Sequence, residues 1–242
     1  MRIYILRHGE TEWNKVRRLQ GVTDIPLDDK GIRLASLAGE AMGREGIRFS
    51  ACVSSPLVRA RKTAELVLEG TGQRYIHADK EMDAGTGVCP AGTGTTDGSR
   101  DDAISFTLDE RIREVNLGPL EGTVRFRETE DGTPSMADCF FDRPADYRAP
   151  EGAESYQDII ARTGDFLKDM AAKYKDLEGR DYNLLVSTHG CASRAMLMNI
   201  APVDLADYWR GRIPPNCAVS IAELEGGTWK LVLLDHQYAA LD

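Results

Sequence analysis

Positive charge is in short supply in this sequence of 242 residues, which has 30 Lys and Arg against 39 Asp and Glu and a formal net charge of −9. Proteins that wrap nucleic acid or lie on anionic membranes concentrate basic residues to offset the phosphates of their partner. The acidic balance therefore argues against nucleic acid and membrane surfaces as partners. A local basic pocket is still compatible with this negative net charge.

Long apolar runs and paired cysteines are also missing. No run is long enough to cross a bilayer, and the first apolar segment passes directly into Arg7 and His8 without the apolar core of a signal peptide. The five cysteines are odd in number and widely spaced, and none forms a Cys-x-x-Cys motif. Free thiols are typical of a reducing compartment, so we expect a cytoplasmic protein.

The common glycine-rich nucleotide loops are absent as well. The stretch 84–103 is rich in Gly, Thr and Asp, but it does not complete Gly-x-Gly-x-x-Gly, and the chain has no Gly-Lys-Ser/Thr. We interpret 84–103 as an inserted loop, with a phosphate-cradling loop as the weaker alternative. A second irregular stretch, 120–152, is interpreted as lid-like, because long loops in compact domains often cover sites. We expect one domain over 1–242.

Short apolar runs alternate with segments of helical periodicity. Such runs suit strands buried on both faces of a parallel sheet, and their alternation with helices predicts a layered α/β fold. Ser55-Pro56 is predicted to start a helix, with Ser as the N-cap and Pro at the first helical position. The predicted strands are 1–6, 51–54 and 183–187 with a hairpin of 217–224 and 229–234, and the predicted helices are 31–44, 57–69, 153–175, 191–200 and 203–210.

Reactive polar residues follow three of the predicted strands. These segments are Arg7-His8-Gly9, Ser54-Ser55-Pro56 and Thr188-His189-Gly190, and the second is followed by Arg59 and Arg61. In open α/β sheets, ligands bind just outside the carboxyl ends of the strands. We therefore expect two histidines and at least two arginines to converge on one site.

This combination of side chains suits phosphate chemistry. Arginine binds phosphate through two parallel hydrogen bonds and keeps its charge. A histidine among arginines is a poor metal ligand, because like charges repel, but its neutral imidazole is a nucleophile. The set predicts phosphoryl transfer through a phosphohistidine, with no metal and no cofactor. The spacing does not choose between Arg59 and Arg61, which point about 200° apart on a helix.

Six ordered blocks of the sequence resemble the histidine phosphatase superfamily, the phosphoglycerate-mutase-like group. The resemblance implies a three-layer α/β/α sandwich with a mostly parallel central sheet. It covers most of the chain except 70–108 and parts of 123–149. The blocks are Leu6-Arg7-His8-Gly9-Glu10-Thr11-Glu12-Trp13-Asn14 continuing through Arg18-Leu19-Gln20-Gly21, Asp24-Ile25-Pro26-Leu27 and Gly31; Ser54-Ser55-Pro56-Leu57-Val58-Arg59-Ala60 with Thr63-Ala64-Glu65; Arg113-Glu114-Val115-Asn116-Leu117-Gly118 with Glu121-Gly122; Pro150-Glu151-Gly152 with Glu154-Ser155; Ser187-Thr188-His189-Gly190; and Arg194-Ala195.

The resemblance also implies roles for individual residues. His8 would be the nucleophile, and the Arg-Ala step of the family selects Arg59 over Arg61. Glu114 would be the general acid that protonates the leaving oxygen, although Glu110 and Glu121 compete for this role. A carboxyl group beside a bound dianion should have a raised pKa, which suits an acid. The residues expected to bind the phosphoryl group or substrate are Arg7, Asn14, Gln20, Gly21, Arg59 and His189.

Three functions fit this set of residues. The favoured one is a phosphatase acting on a small phosphorylated metabolite, and the alternatives are a phosphoglycerate mutase and a non-catalytic phosphate-binding protein. Mutases of the family carry Tyr at the position of Leu117, Asn at that of Cys191, and an Arg-Arg pair in the lid, whereas this chain has separated arginines there. A non-catalytic member would be expected to lack His8, Arg59 or His189. The oligomeric state is left open.

Overall fold

The computed structural model describes residues 1–78, 103–124 and 135–241. The predicted insertion at 84–103 lies outside the described residues except for Ala103, and so do residues 125–134 of the predicted lid-like segment.

One sheet of seven strands forms the centre of the described chain, in the order β3-β4-β2-β5-β1-β6-β7. The strands β1 to β5 are parallel to one another, β6 is antiparallel to β1, and β7 is antiparallel to β6. The predicted α/β fold with a mostly parallel sheet is confirmed. The strands are β1 Arg2–Arg7, β2 Ala51–Ser54, β3 Tyr75–His77, β4 Ile104–Leu108, β5 Asn183–Thr188, β6 Val219–Glu225 and β7 Thr228–His236.

Helices cover both faces of this sheet. Tyr4 and Leu6 of β1 belong to an apolar cluster with residues of α2 and α3. Ile3 and Ile5 alternate with them and belong to a second cluster with residues of α5 and α6. Because successive strand residues face opposite sides, a strand covered on both faces must be apolar throughout. The helices are α1 Glu12–Lys15, α2 Asp29–Arg44, α3 Val58–Gly70, α4 Met136–Asp142, α5 Tyr156–Tyr174 and α6 Gly190–Ile200.

The predicted C-terminal hairpin is confirmed as β6 and β7. Gly226 and Gly227 connect the two strands with φ angles of 58° and 74°. A tight two-residue turn with both φ angles positive matches the right-handed twist of its strands, and glycine adopts it without steric cost.

Each of the five predicted helices begins or ends at a different residue in the structure, and α2 and α6 differ only by beginning at Asp29 and Gly190. Helix α3 begins at Val58 rather than at Pro56, and Ser55 is not its N-cap. Helix α5 begins at Tyr156, because the side chains of Ser155 and Asp158 form a capping box there. The segment 203–210 contains only the 3₁₀ turn Leu205–Asp207, and Arg210 has a positive φ of 52° that ends any helical path. The strands β3 and β4 were not predicted.

A third apolar cluster lies beside the carboxyl edge of the sheet. It joins residues of α4, α5 and α6 with Tyr208 and Trp209, and it keeps α4 in place. The ring of Phe140 stacks on that of Tyr156 with centroids 5.0 Å apart, and it meets Trp209 edge-on. The Phe140 carbonyl accepts hydrogen bonds from the Tyr156 hydroxyl and the Trp209 indole N–H. Part of the predicted lid-like segment is thus anchored to the body of the domain. Among the described residues, no helix has the length and apolar character needed to span a membrane.

Candidate active site

The carboxyl ends of β1, β5 and β2 bring three predicted segments together. These strands are adjacent in the sheet and parallel, so the residues that follow them lie at one edge. The His8 N–H donates to the Thr188 carbonyl over 3.0 Å, which holds the segment after β1 against the segment after β5. The rings of His8 and His189 have centroids 5.2 Å apart.

The His8 ring is buried and fixed in one orientation. Its Nδ1 lies 2.6 Å from the carbonyl oxygen of Gly9. A carbonyl oxygen only accepts hydrogen bonds, so Nδ1 carries the proton and Nε2 keeps its lone pair. Burial lowers the pKa of His8 well below its usual value, and the charges of Arg59 and Arg7 lower it further. The ring is therefore neutral near neutral pH, as a nitrogen nucleophile must be.

His189 is completely buried next to His8. Its Nε2 lies 2.7 Å from the hydroxyl oxygen of Ser55, which also accepts the N–H of Leu57 over 3.3 Å. Burial lowers the pKa of His189 well below its usual value, and Arg59 and His8 act in the same direction. Ser55, predicted as a helix cap, instead orients a site histidine.

Arg59 is buried where its charge acts on both site histidines, whereas Arg61 is not. The side chain of Arg59 is fully buried, and its terminal nitrogens donate to the carbonyls of Gly21 (2.7 Å) and Thr23 (3.0 Å). Arg61 is exposed on the other side of α3. Burial lowers the pKa of Arg59 to about 10, which still leaves it positively charged at neutral pH.

Gly21 contributes its backbone to the site. A Cβ atom at this position would lie 2.3 Å from the Glu121 carboxylate and 2.6 Å from the Val115 carbonyl. Glu121 itself accepts the N–H groups of Val22 and Thr23, both over 2.8 Å. Glu121 therefore holds the loop that carries the two carbonyl acceptors of Arg59.

Arg7 is held by the loop that precedes β6. Its guanidinium donates to the Pro214 carbonyl, and burial lowers its pKa. Asn216 of the same loop donates to the His8 carbonyl over 3.0 Å. Asn216 was not predicted as a site residue, because its contact spans more than two hundred residues and it belongs to no recognised block.

The Glu114 carboxylate lies over the start of α6. One oxygen accepts the N–H groups of Val115 and Ala192, both at 3.0 Å, and the other accepts that of Cys191 at 3.1 Å. Burial raises the pKa of Glu114, although these donors and the charge of Arg59 oppose the shift. Of the three carboxylates considered, Glu110 is exposed and paired with Arg113, whereas Glu114 is buried and lines the cavity.

Asn14 and Gln20 lie on the loop around α1. The Asn14 side-chain oxygen accepts the N–H of Thr11, and the Gln20 side-chain oxygen accepts the Thr11 hydroxyl over 2.9 Å. The loop thus uses the side-chain oxygens of both residues and leaves their amide nitrogens as donors. Both residues line the cavity.

Part of this set lines a cavity of about 460 Å³ that has two unlike sides. Arg59 and His189 are buried beside His8 and are not among the residues that line it. The polar floor consists of Arg7, His8, Asn14, Gln20 and Glu114. The apolar wall consists of Leu19, Leu117, Phe140, Phe141, Trp209 and Ile213. The sequence does not predict the aromatic residues of this wall, Phe140, Phe141 and Trp209, because single aromatic residues form no motif.

Several buried nitrogen atoms of the site have no hydrogen-bond partner in the described part of the protein. Within the described residues, the unpartnered buried atoms include Arg7 Nε, Arg59 Nε, Gln20 Nε2 and His189 Nδ1. Buried polar groups are almost always hydrogen-bonded, so a cluster of unpartnered nitrogens at one site indicates a ligand that supplies acceptors. An oxyanion fits this requirement. No group of three or more His, Cys, Asp and Glu side chains that could hold a metal occurs in the same part of the chain.

Comparison with known proteins defines the class. The family model of the histidine phosphatase superfamily (branch 1) matches residues 3–88 and 95–237, and the chain belongs to this superfamily. A structural neighbour, YhfR of Bacillus stearothermophilus, has a TM-score of 0.70 at 25% identity and covers 96% of this chain and 95% of its own.

The relatives include both phosphatases and mutases. A metal-independent phosphoserine phosphatase of Arabidopsis thaliana is 28% identical over 94% of this chain and 78% of its own length. A probable phosphoglycerate mutase GpmB of Citrobacter koseri is 29% identical over 95% of this chain and 87% of its own. The two levels of identity are too similar to separate the two activities.

Proposed function

We propose that this protein is a phosphatase that hydrolyses a small phosphomonoester through a phosphohistidine formed on His8. One observation carries the proposal. The unprotonated Nε2 of His8 lies at the edge of the sheet where Arg7, Arg59 and His189 have buried, unpartnered nitrogens. A nucleophile beside donors for a tetrahedral oxyanion is the arrangement that phosphoryl transfer requires.

The first step transfers the phosphoryl group to the enzyme. The His8 Nε2 lone pair forms a bond to phosphorus, and the bond between phosphorus and the ester oxygen breaks. Glu114 donates its proton to the departing oxygen, because a carboxyl group with a raised pKa holds a proton to a higher pH than an exposed one. The alcohol leaves, and His8 carries the phosphoryl group.

The second step returns His8 to its starting state. Glu114, now a carboxylate, takes a proton from a water molecule as its oxygen attacks phosphorus. The bond between phosphorus and Nε2 breaks, and inorganic phosphate leaves. Arg7 and Arg59 stay positively charged through both steps and stabilise the negative charge on the phosphoryl oxygens.

The cavity favours a phosphatase over a mutase. Leu117 and Cys191 both line it, at positions where the resemblance expects Tyr and Asn in mutases. Neither side chain offers the hydrogen bonds that hold a hydroxylated, charged acid for a second transfer. The apolar wall accommodates the organic group of the ester, and two of its residues, Phe140 and Phe141, come from the segment 120–152 that we propose as a lid.

The proposal also includes one domain over 1–242, a cytoplasmic location, and a cycle without metal or cofactor. The described cysteines support the location, because Cys52, Cys139, Cys191 and Cys217 are all free and buried. The anion-binding floor supports a cycle driven by the protein's own charges.

Two assays on the purified protein test the proposed function. We expect release of inorganic phosphate from p-nitrophenyl phosphate, loss of this release in His8→Ala, and negligible exchange between 2- and 3-phosphoglycerate. Fast exchange with little phosphate release would show a mutase instead. Full turnover by His8→Ala would remove His8 from the mechanism.

A further inference from the structure

A single arginine outside the cavity holds the segment that carries Glu114. Residues 111–116 lead from the 3₁₀ turn Glu110–Ile112 into irregular backbone. Backbone of this kind has carbonyl groups that no helix or strand satisfies, and buried carbonyls need donors from elsewhere. Arg162 of α5 supplies them.

All five N–H donors of Arg162 are used at this one place. Nη1 donates to the carbonyls of Arg111 and Arg113, both over 2.7 Å, and Nη2 donates to the carbonyl of Glu114 over 3.1 Å. Nε and Nη2 also bind the two carboxylate oxygens of Glu154 over 2.8 and 3.0 Å. A guanidinium has five donors in a fixed plane, whereas a lysine ammonium has three and no fixed plane.

Glu154 completes the support from the other side. Its carboxylate accepts the N–H of Asn116 over 2.7 Å, and its own N–H donates to the Asn116 carbonyl over 2.7 Å. The side chains of Arg162 and Glu154 are only 18% and 20% exposed. Ion pairs and hydrogen bonds that are screened from water hold their geometry better than exposed ones.

Glu114 is therefore fixed at both ends. Its carbonyl is bound by Arg162 of α5, and its carboxylate is bound by the N–H groups of Cys191 and Ala192 at the start of α6. The helices α5 and α6 pack on each other against the same face of the sheet. Arg162 does not belong to the described side chains that line the cavity, so its contact with the site is through the main chain of Glu114. Its charge also helps to lower the pKa of His189, and Arg162→Lys keeps that charge.

We infer that Arg162, braced by Glu154, is a positioning residue that sets the Glu114 carboxyl group at the leaving oxygen of the substrate. This inference rests on the proposed function, in which Glu114 is the general acid. A misplaced acid slows the reactions that need a proton and spares those that do not. A misplaced Glu114 therefore lowers kcat/KM more for esters whose leaving group needs a proton, whereas a general loss of stability lowers it equally for all esters.

The test compares two aryl esters in wild type, Arg162→Met, Arg162→Lys and Glu154→Gln. Phenyl phosphate has a strongly basic leaving group that needs protonation, whereas the leaving group of p-nitrophenyl phosphate departs with little help. The quantity measured is kcat/KM, which reports on transfer to His8 and hence on departure of the leaving group. Arg48→Met is the matched control, because Arg48 donates to the Thr71 and Ile47 carbonyls far from the site.

We expect Arg162→Met to lower kcat/KM for phenyl phosphate roughly tenfold more than for p-nitrophenyl phosphate, a fraction of the ~10²–10⁴-fold typical of general acids. Arg162→Lys and Glu154→Gln should shift the ratio in the same direction by less, and Arg48→Met should leave it unchanged. If Arg162→Met does not fold, the comparison is made with Arg162→Lys and Glu154→Gln.

A second measurement isolates the route through Glu114. In a Glu114→Gln background, where no proton is supplied, Arg162→Lys should no longer change the ratio of the two esters, because residues that act as a unit are not additive. Equal losses on both esters in every Arg162 and Glu154 variant would overturn the positioning role while leaving the phosphatase function intact. Wild-type protein that hydrolyses neither ester would overturn the proposed function itself.

Discussion

The two sides of the cavity are built in different ways. The polar groups of the site are held by hydrogen bonds, as the His8 ring is by the Gly9 carbonyl and the Arg59 guanidinium by the carbonyls of Gly21 and Thr23. The apolar wall is held by rings that pack on one another, as Phe141 does on Trp209 with centroids 5.1 Å apart. Hydrogen bonds to fixed backbone allow one orientation, whereas ring packing tolerates exchange. We propose that the polar groups carry the chemistry and that the wall selects the substrate.

The largest expected effect comes from removing one buried cation of the site. Arg59→Met should lower kcat/KM for p-nitrophenyl phosphate by about 10²–10³-fold, because the proposed mechanism uses this charge to stabilise the phosphoryl oxygens. Arg61→Met is the matched control and should change it less than about twofold, since Arg61 is exposed. Similar losses in both variants would contradict the assignment. Thermal unfolding of both proteins separates lost catalysis from lost structure.

The pH dependence of kcat/KM tests the protonation states of His8 and Glu114. His8 must be neutral to attack, and because its pKa lies well below 6.5, its protonation should limit the rate only at pH values below the ordinary histidine range. Glu114 must be protonated to act as the acid, so the rate should fall as pH rises through its pKa, which burial moves above the ordinary carboxyl range.

Ionisation of the substrate also changes kcat/KM as the pH rises. The Glu114→Gln variant distinguishes the two causes, because it lacks the carboxyl group that titrates. Glu114→Gln should lose about 10²-fold in kcat/KM for phenyl phosphate, and the alkaline fall should disappear from its profile. An alkaline fall that persists unchanged in Glu114→Gln would assign it to another group.

A substitution in the apolar wall has the smallest expected effect on kcat/KM. Phe141→Ala should lower kcat/KM for aryl phosphates by about tenfold and leave that for a short, polar ester such as phosphoserine within about twofold, since one apolar contact surface is removed. Val232→Ala, a truncation of an exposed apolar residue on β7, is the control. Equal losses on both kinds of ester would show that the wall supports the chemistry as well as the choice of substrate.

The parts of the fold that the sequence predicts are those with a local physical cause. The runs 51–54 and 183–187 are apolar because both sheet faces are covered, and the glycines of the hairpin fit its turn. The strands β3 and β4 escape prediction, because Tyr75–His77 is short and Ile104–Leu108 mixes apolar and hydroxyl residues. Such segments form strands because they pair with neighbouring strands, and their own sequence pattern does not predict this.

The residues of the site also divide into those that the sequence predicts and those that it does not. His8, Arg59 and His189 follow strands, and resemblance to a family selects Arg59 where helix spacing leaves Arg61 open. Asn216 and Arg162 belong to no recognised block, and their contacts join residues that are far apart in sequence. Only the folded chain brings such partners together.

Trapping the phosphoenzyme tests the central claim most directly. The protein is mixed with phenyl phosphate, quenched in base within one turnover and digested, and the peptide that contains His8 is examined by mass spectrometry. The account predicts one phosphoryl group on His8, labile to acid, that forms and decays as fast as the enzyme turns over. Sustained phosphate release with an unmodified His8 at every time point would contradict it.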